Sequence, residues 1–266
     1  MSRAERTGRP PLGARAMVGL ARRGGELALA HFRRAEGEGI AEAGIVSVVD
    51  RAIEQMVREQ VAAALPDVAL VGGVFGTSGS PSEGWALAID PIDGADAFVA
   101  GLPTWAISIG LLHAGRPVAG VVYLPAFRDL YVAHGGVLRW NGTEVPLGGL
   151  APRHEGFVLA FSEFHRRVAL RFSPGSRKIR SLGSTAYHLA LVARGAAEAA
   201  VVGRVHLWEV AAGAALLAAT GGDLVSLRSG EPVDLRSLTD GAVSRDVLVA
   251  AREGATPGVL ARVRRR

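Results

Sequence analysis

The 266-residue chain has no cysteine and one lysine, Lys178. Without cysteine there is no disulfide, no thiolate nucleophile and no sulfur-ligated zinc or iron–sulfur centre, so a metal would be held by carboxylates, histidine, carbonyls or water. No stretch of about 18 consecutive apolar residues occurs, and the start, Met-Ser-Arg-Ala-Glu-Arg, lacks an apolar leader. Neither a membrane span nor a secretory signal is expected, and the chain is expected in the cytoplasm. Aromatic residues make up 6% and are not interleaved with the basic ones, which argues against a nucleic-acid surface. The net charge of +5 rests on arginines, several of them at the two ends, and would equally suit a small anionic substrate. The seven histidines show no ligand spacing; His206, two before Trp208, is the one placed near other features of interest.

Hydrophobic residues make up 49%, enough for one large or two modest domains. The chain is organised around Asp90-Pro91-Ile92-Asp93-Gly94. Proline neither continues a helix nor pairs in a central strand, so a backbone turn is expected there, with both acids facing one point. The apolar run before it reads as a buried strand, and Gly94 onward can open a helix. Acids at a strand end beside a helix start offer oxygen ligands for Mg²⁺ and N–H groups for an anion. Asp-Pro and Asp-Gly are also ordinary turn formers on solvated loops, and the motif alone does not separate the two readings.

Around this motif the expected elements follow in order. One or two helices span 12–34, with Gly24-Gly25 as a weak point. A second helix would be capped by Ser47 and stopped by Pro66, with Asp50 and Glu54 on one solvated face. Short apolar runs at 68–71, 85–89, 106–112, 118–124 and 130–133 read as an antiparallel sheet, with a hairpin at Asn141-Gly142. Strands at 157–161, 179–182, 199–202, 224–227 and 247–250 then alternate with helices at 184–194, 208–220 and 256–263, an α/β pattern. The expected organisation is a disordered basic terminus at 1–11, an α+β subdomain at 12–150 and an α/β subdomain at 151–266.

Asp90-Pro91-Ile92-Asp93-Gly94, with Trp85 before it and Phe98 after it, resembles the signature of the inositol monophosphatase family. So do Gly183-Ser184-Thr185, Trp208-Glu209-Val210-Ala211-Ala212-Gly213 and Thr220-Gly221-Gly222, and the segment from Ile45 to Asp50 with Glu54 is similar to that family's N-terminal part. The resemblance implies an αβαβα layered sandwich, a homodimer, and Mg²⁺-dependent hydrolysis of a small phosphorylated substrate. It implies Asp90, Asp93, the Ile92 carbonyl and Glu209 as metal ligands, and the N–H groups of Gly94 and Ala95 as phosphate donors. Gly183, Ser184 and Thr185 would line the substrate side, and Asp50 would be an outer acid.

The departures from that pattern fall on one half of the reaction. The family's Gly-Glu-Glu segment, which supplies a ligand for the water-activating metal, reads Gly72-Gly73-Val74. The threonine that orients the attacking water is Ala95, and the glutamate that meets the inositol ring is Val202. Glu209 stands where the family has aspartate. Three carboxylates neutralise one Mg²⁺ comfortably but two poorly. The expectation is a phosphomonoesterase with a weakened water-activating half, acting on something other than inositol phosphate. Two alternatives stand beside it: a non-hydrolytic elimination or cyclisation, and a non-catalytic protein. Glu83 is a candidate to replace the missing glutamate.

Overall fold

The structure is a computed structural model that describes residues 10–32, 42–150, 157–160, 168–170 and 178–265. Five layers alternate helix and sheet. Helices α1 (Ala14–His31) and α2 (Glu42–Ala64) cover one face of an eight-stranded sheet. That sheet is ordered β2-β1-β3-β4-β5-β6-β7-β8 and comprises β1 (Ala69–Gly72), β2 (Gly76–Ser78), β3 (Trp85–Asp93), β4 (Ala106–His113), β5 (Arg116–Leu124), β6 (Asp129–His134), β7 (Val137–Trp140) and β8 (Thr143–Val145). The β1–β3 pair is parallel and every other pair in it is antiparallel. After Asp93 comes the short helix α3 (Ala95–Val99), pinned by the Phe32, Phe98 and Trp105 rings with centroids 5.0–5.4 Å apart.

The middle helices, α4 (Thr185–Arg194) and α5 (Leu207–Ala218), fill the space between the two sheets. α5 is almost entirely apolar and lies directly on β4 and β5. A Cβ at Gly110 would stand 2.6 Å from Ala211 Cβ, and one at Gly120 2.5 Å from the Ala212 carbonyl, so glycine is what lets the helix approach so closely. The second sheet is ordered β11-β9-β12-β14-β13, from β9 (Val158–Ala160), β11 (Ile179–Arg180), β12 (Ala199–Gly203), β13 (Asp223–Ser226) and β14 (Val247–Ala251). Its outer face packs on α6 (Thr256–Leu260), completing an αβαβα sandwich. β10 (Val168–Leu170) pairs separately with β15 (Val263–Arg265).

Several expectations change. Gly24-Gly25 does not break α1; a Cβ at Gly25 would lie 2.7 Å from the Tyr123 ring, so the pair serves close packing of the helix on β5. Ser47 is not a cap, because α2 begins five residues earlier and Val46, Val49 and Ile53 continue one buried stripe through it. Asp50 and Glu54 accordingly lie in the body of the helix, and they are not a solvated face. The acids do not follow β3 but lie within it. Asp90 faces Ser108 and Asp93 faces Ala106, so three steps on β3 oppose two on β4; this bulge accommodates Pro91, which has no N–H to give the ladder. The helix expected over 256–263 ends at Leu260 after 5 residues, and residues 263–265 are instead drawn into pairing with β10. Residues 1–9 and 151–156 lie outside the described residues.

Candidate functional site

The site forms where the end of β3 meets the first turns of α4 and α5. Ser184 caps α4, its Oγ accepting the Tyr187 N–H at 3.0 Å. Ahead of that cap Asp93, 4% exposed, turns its carboxylate onto the same helix end and accepts the N–H groups of Thr185, at 3.0 Å, and Ala186. Ser184 also donates to it. Gly94 and Gly183, both at positive φ (99° and 86°), allow this approach: a Cβ at Gly94 would sit 2.9 Å from the Gly183 carbonyl. The two sequence signatures are thus in direct contact. Ser184 and Thr185 are buried, holding Asp93 and the helix end, while Gly183, Gly94 and Ala95 keep surface open.

Glu209 caps α5 in the same manner, its carboxylate accepting the His206 N–H at 2.7 Å. Its extra methylene is taken up by this turn back to the helix start. The His206 ring stacks on Trp208 with centroids 4.2 Å apart and planes 9° apart. Ser108, fully buried opposite Asp90 on β4, donates to the Trp208 carbonyl at 3.2 Å and so ties the start of α5 to the acidic strand.

The carboxylates resist ionisation. Burial first, then Asp93, Glu209 and Asp50 in turn, push Asp90 well above its ordinary value, against a backbone hydrogen bond from Ile92. Burial and then Glu209 raise Asp93 from 3.8 to about 7, although the α4 N–H donors pull the other way. Burial and then Glu54 raise Asp50 to about 7, and burial raises Glu209. Asp90 retains some open surface while its carboxyl lies deep among protein atoms. Asp50 Oδ1 is buried without a hydrogen-bond partner. No arginine or lysine among the described residues forms an ion pair with any of these four acids.

Like-charged groups drawn into low-dielectric surroundings, with His206 beside Glu209 as the only favourable side-chain charge the shifts show among the described residues, are a donor set suited to a divalent cation. As the side chains stand, no three Asp, Glu or His groups among the described residues are arranged to hold a metal ion. Asp93 and Glu209 are each turned to a helix N-terminus and must rotate toward a shared ion. The donors fit one ion in charge and chemistry.

Position 73, where the resemblance implies a metal-ligating glutamate, carries no side chain. A Cβ at Gly73 would stack at 3.4 Å from three atoms of the Trp208 indole, and no carboxylate occupies that position. Glu83 does not replace it: it precedes Trp85, and the strand from there to Asp90 alone spans about 17 Å. Val202 is fully buried in β12 within the core. Glu54, Ser108 and His206 acquire their places from long-range packing; the one sequence signal for Ser108 is a hydroxyl inside an otherwise apolar strand.

Comparison with known proteins shows the family of the chain and its fold. The profile of the inositol monophosphatase family matches residues 13–265. The chain is 31% identical over 232 residues to a fructose-1,6-bisphosphatase/inositol-1-monophosphatase of Aquifex aeolicus, covering 82% of this chain and 86% of that one. It is 38% identical over 198 residues to a probable inositol 1-monophosphatase, ImpA, of Mycobacterium tuberculosis, covering 69% and 72%. The crystal structure of inositol monophosphatase II from Staphylococcus aureus MSSA476 matches with a TM-score of 0.75 at 22% identity, covering 91% of this chain and 89% of that one, a likeness of fold.

Proposed function

Because this chain belongs to the inositol monophosphatase family, we propose that it is a Mg²⁺-dependent phosphomonoesterase whose water-activating half is weakened. The observation that carries the reading is the gathering of Asp90, Asp93 and Glu209 beside two helix N-termini, where burial raises all three and the charges of Asp93 and Glu209 raise Asp90 further. Asp90, Asp93, Glu209 and the Ile92 carbonyl would hold one Mg²⁺, which when bound supplies positive charge to the leaving-group side. Gly94 and Ala95 open the first turn of α3 to the phosphate through their N–H groups. Ser184 and Thr185 act indirectly, by holding Asp93. Asp50, with one unpartnered buried oxygen and a pKa near neutrality, is the remaining group able to hold a proton beside the acids.

The substrate is a small phosphomonoester. Inositol phosphate is disfavoured, because the position that would meet the ring is the buried Val202. Gly73 and Ala95 favour a second reading, in which metal-assisted departure of a group drives an elimination or cyclisation that needs no activated water.

The test is phosphate release from sugar, inositol and nucleotide monophosphates with Mg²⁺, Mn²⁺ or EDTA, against an Asp90→Asn control. Metal-dependent release well above that control establishes the phosphatase. Calorimetric Mg²⁺ and phosphate binding with no release transfers the assignment to the non-hydrolytic reading.

A further inference from the structure

Glu54, on α2, is fully buried, and its carboxylate is held on every side. It accepts the Val74 N–H at 2.9 Å and the Phe75 N–H at 3.1 Å, and pairs with Arg58 at 2.8 Å. The Arg58 guanidinium also donates to the Gly76 carbonyl, so helix and hairpin are bolted together at two points. The carboxylate occupies the space a side chain on residue 72 would need: a Cβ at Gly72 would lie 2.4 Å from Glu54 Oε1.

What this clamp holds is the turn between β1 and β2. One end of that turn, Gly73, faces the Trp208 indole, where an added Cβ would lie 3.4 Å from three ring atoms; the same ring stacks on His206 and packs against the core, and Trp208 directly precedes Glu209. Its other end presents Phe75, 41% exposed, with the Arg51 and Arg58 guanidinium groups 5.2 and 5.7 Å from the ring centroid. Burying an ion pair to fix a short surface turn is an expensive way to gain stability, since apolar contacts of the same volume generally do as well. The arrangement makes sense if the position of the turn matters.

We propose that Glu54 is a positioning residue for the site: locked by Arg58, it sets the 73–75 turn against Trp208, and this turn is the wall on which the non-phosphate part of the substrate lands. The proposal rests on the phosphomonoesterase reading for its substrate, but its geometric half can be tested without turnover.

Wild type, Glu54→Gln, Glu54→Ala and Gly72→Ala would be compared as full chains, each with and without Trp208→Phe, so that acrylamide quenching of Trp208 emission is obtained by difference. Glu54→Ala and Gly72→Ala are expected to raise that quenching about twofold. Gly72→Ala should add little in the Glu54→Ala background, where the carboxylate it displaces is gone. With the best ester of the panel, KM should rise about tenfold in Glu54→Ala with kcat within about threefold, and Glu54→Gln, which keeps one acceptor, should fall between. Unchanged quenching and KM in folded Glu54→Gln and Glu54→Ala, with only a lower melting temperature, would overturn the proposal and leave Glu54 a stabilising residue. If the wild-type chain releases no phosphate from any ester, the phosphatase reading fails alone, and quenching still decides the role of Glu54.

Discussion

Restoring the missing half of the site is the perturbation with the sharpest expectation. Gly73→Glu places a carboxylate beside Asp90, Asp93 and Glu209, raising the candidate ligand set from three negative charges to four. The fold does not oppose it: Gly73 is exposed, is not at positive φ, and its added Cβ would meet the Trp208 ring at 3.4 Å, an ordinary van der Waals contact. Ala95→Thr, in the first turn of α3, adds a hydroxyl that on the proposed mechanism would orient water. A positioned base or water-orienting group is worth about 10²–10⁴ in rate. The double variant should therefore release phosphate at least about 100-fold faster than wild type, with the gain confined to metal-loaded protein. The assay is colorimetric phosphate release over a Mg²⁺ titration, with isothermal calorimetry counting bound ions, expected to show a second site in the variant. A folded double variant with one metal site and wild-type release would refute the reasoning that residues 73 and 95 limit hydrolysis.

The remaining predictions concern charge and packing. Asp93 and Asp50 have folded pKa values raised from 3.8 to about 7, so between those values the metal-free folded state binds more protons than the unfolded chain. Stability is thus greatest below about pH 4 for these groups and declines as pH rises through about 7, by on the order of 4 kcal/mol for Asp93. The melting temperature of EDTA-treated protein should fall from pH 5.5 to pH 8, and Mg²⁺ should recover it at pH 8; an apo curve that rises over that range contradicts the burial of these acids. Asp90→Asn removes a candidate ligand and the buried acid that Asp93, Glu209 and Asp50 all repel, so calorimetry should show at least about tenfold weaker Mg²⁺ binding together with a more stable apo protein at pH 8. Gly94→Ala combines a φ of 99° with a Cβ 2.9 Å from the Gly183 carbonyl, and should cost roughly 2 kcal/mol or more in urea unfolding. A loss under about 0.5 kcal/mol would mean that the two signatures are not packed together.

Features fixed by near neighbours are legible in the sequence. Asn141-Gly142 makes a hairpin because both residues take positive φ, at 50° and 85°, as the tight turn demands. The acids of β3 and the helix starts at 185 and 207 are marked by proline, glycine and serine in the chain itself. Features fixed by distant partners are not legible. Residues 263–265 become a strand because residues 168–170 lie alongside. β3 continues through Pro91 because β4 tolerates a bulge there. Glu54, which looks like one more charge on an amphipathic helix, is buried because two N–H groups and an arginine meet it 4 to 21 residues away.

The same distinction separates the glycines, and it bears on what the site lost. Gly72, Gly94 and Gly110 are dictated by packing, since an added Cβ would fall 2.4–2.9 Å from the Glu54 carboxylate, the Gly183 carbonyl or the α5 helix. Gly73 is under no such constraint. A larger residue fits there, at an exposed position whose neighbouring turn is still clamped by a buried ion pair. Sterically nothing bars a carboxylate at 73, and the turn that would present one is held in place by the Glu54–Arg58 pair. That is why the activity gained by Gly73→Glu with Ala95→Thr bears on function as well as mechanism. New hydrolysis at the expense of the native reaction would mark a repurposed enzyme, whereas faster turnover of the same ester would mark a slow phosphatase.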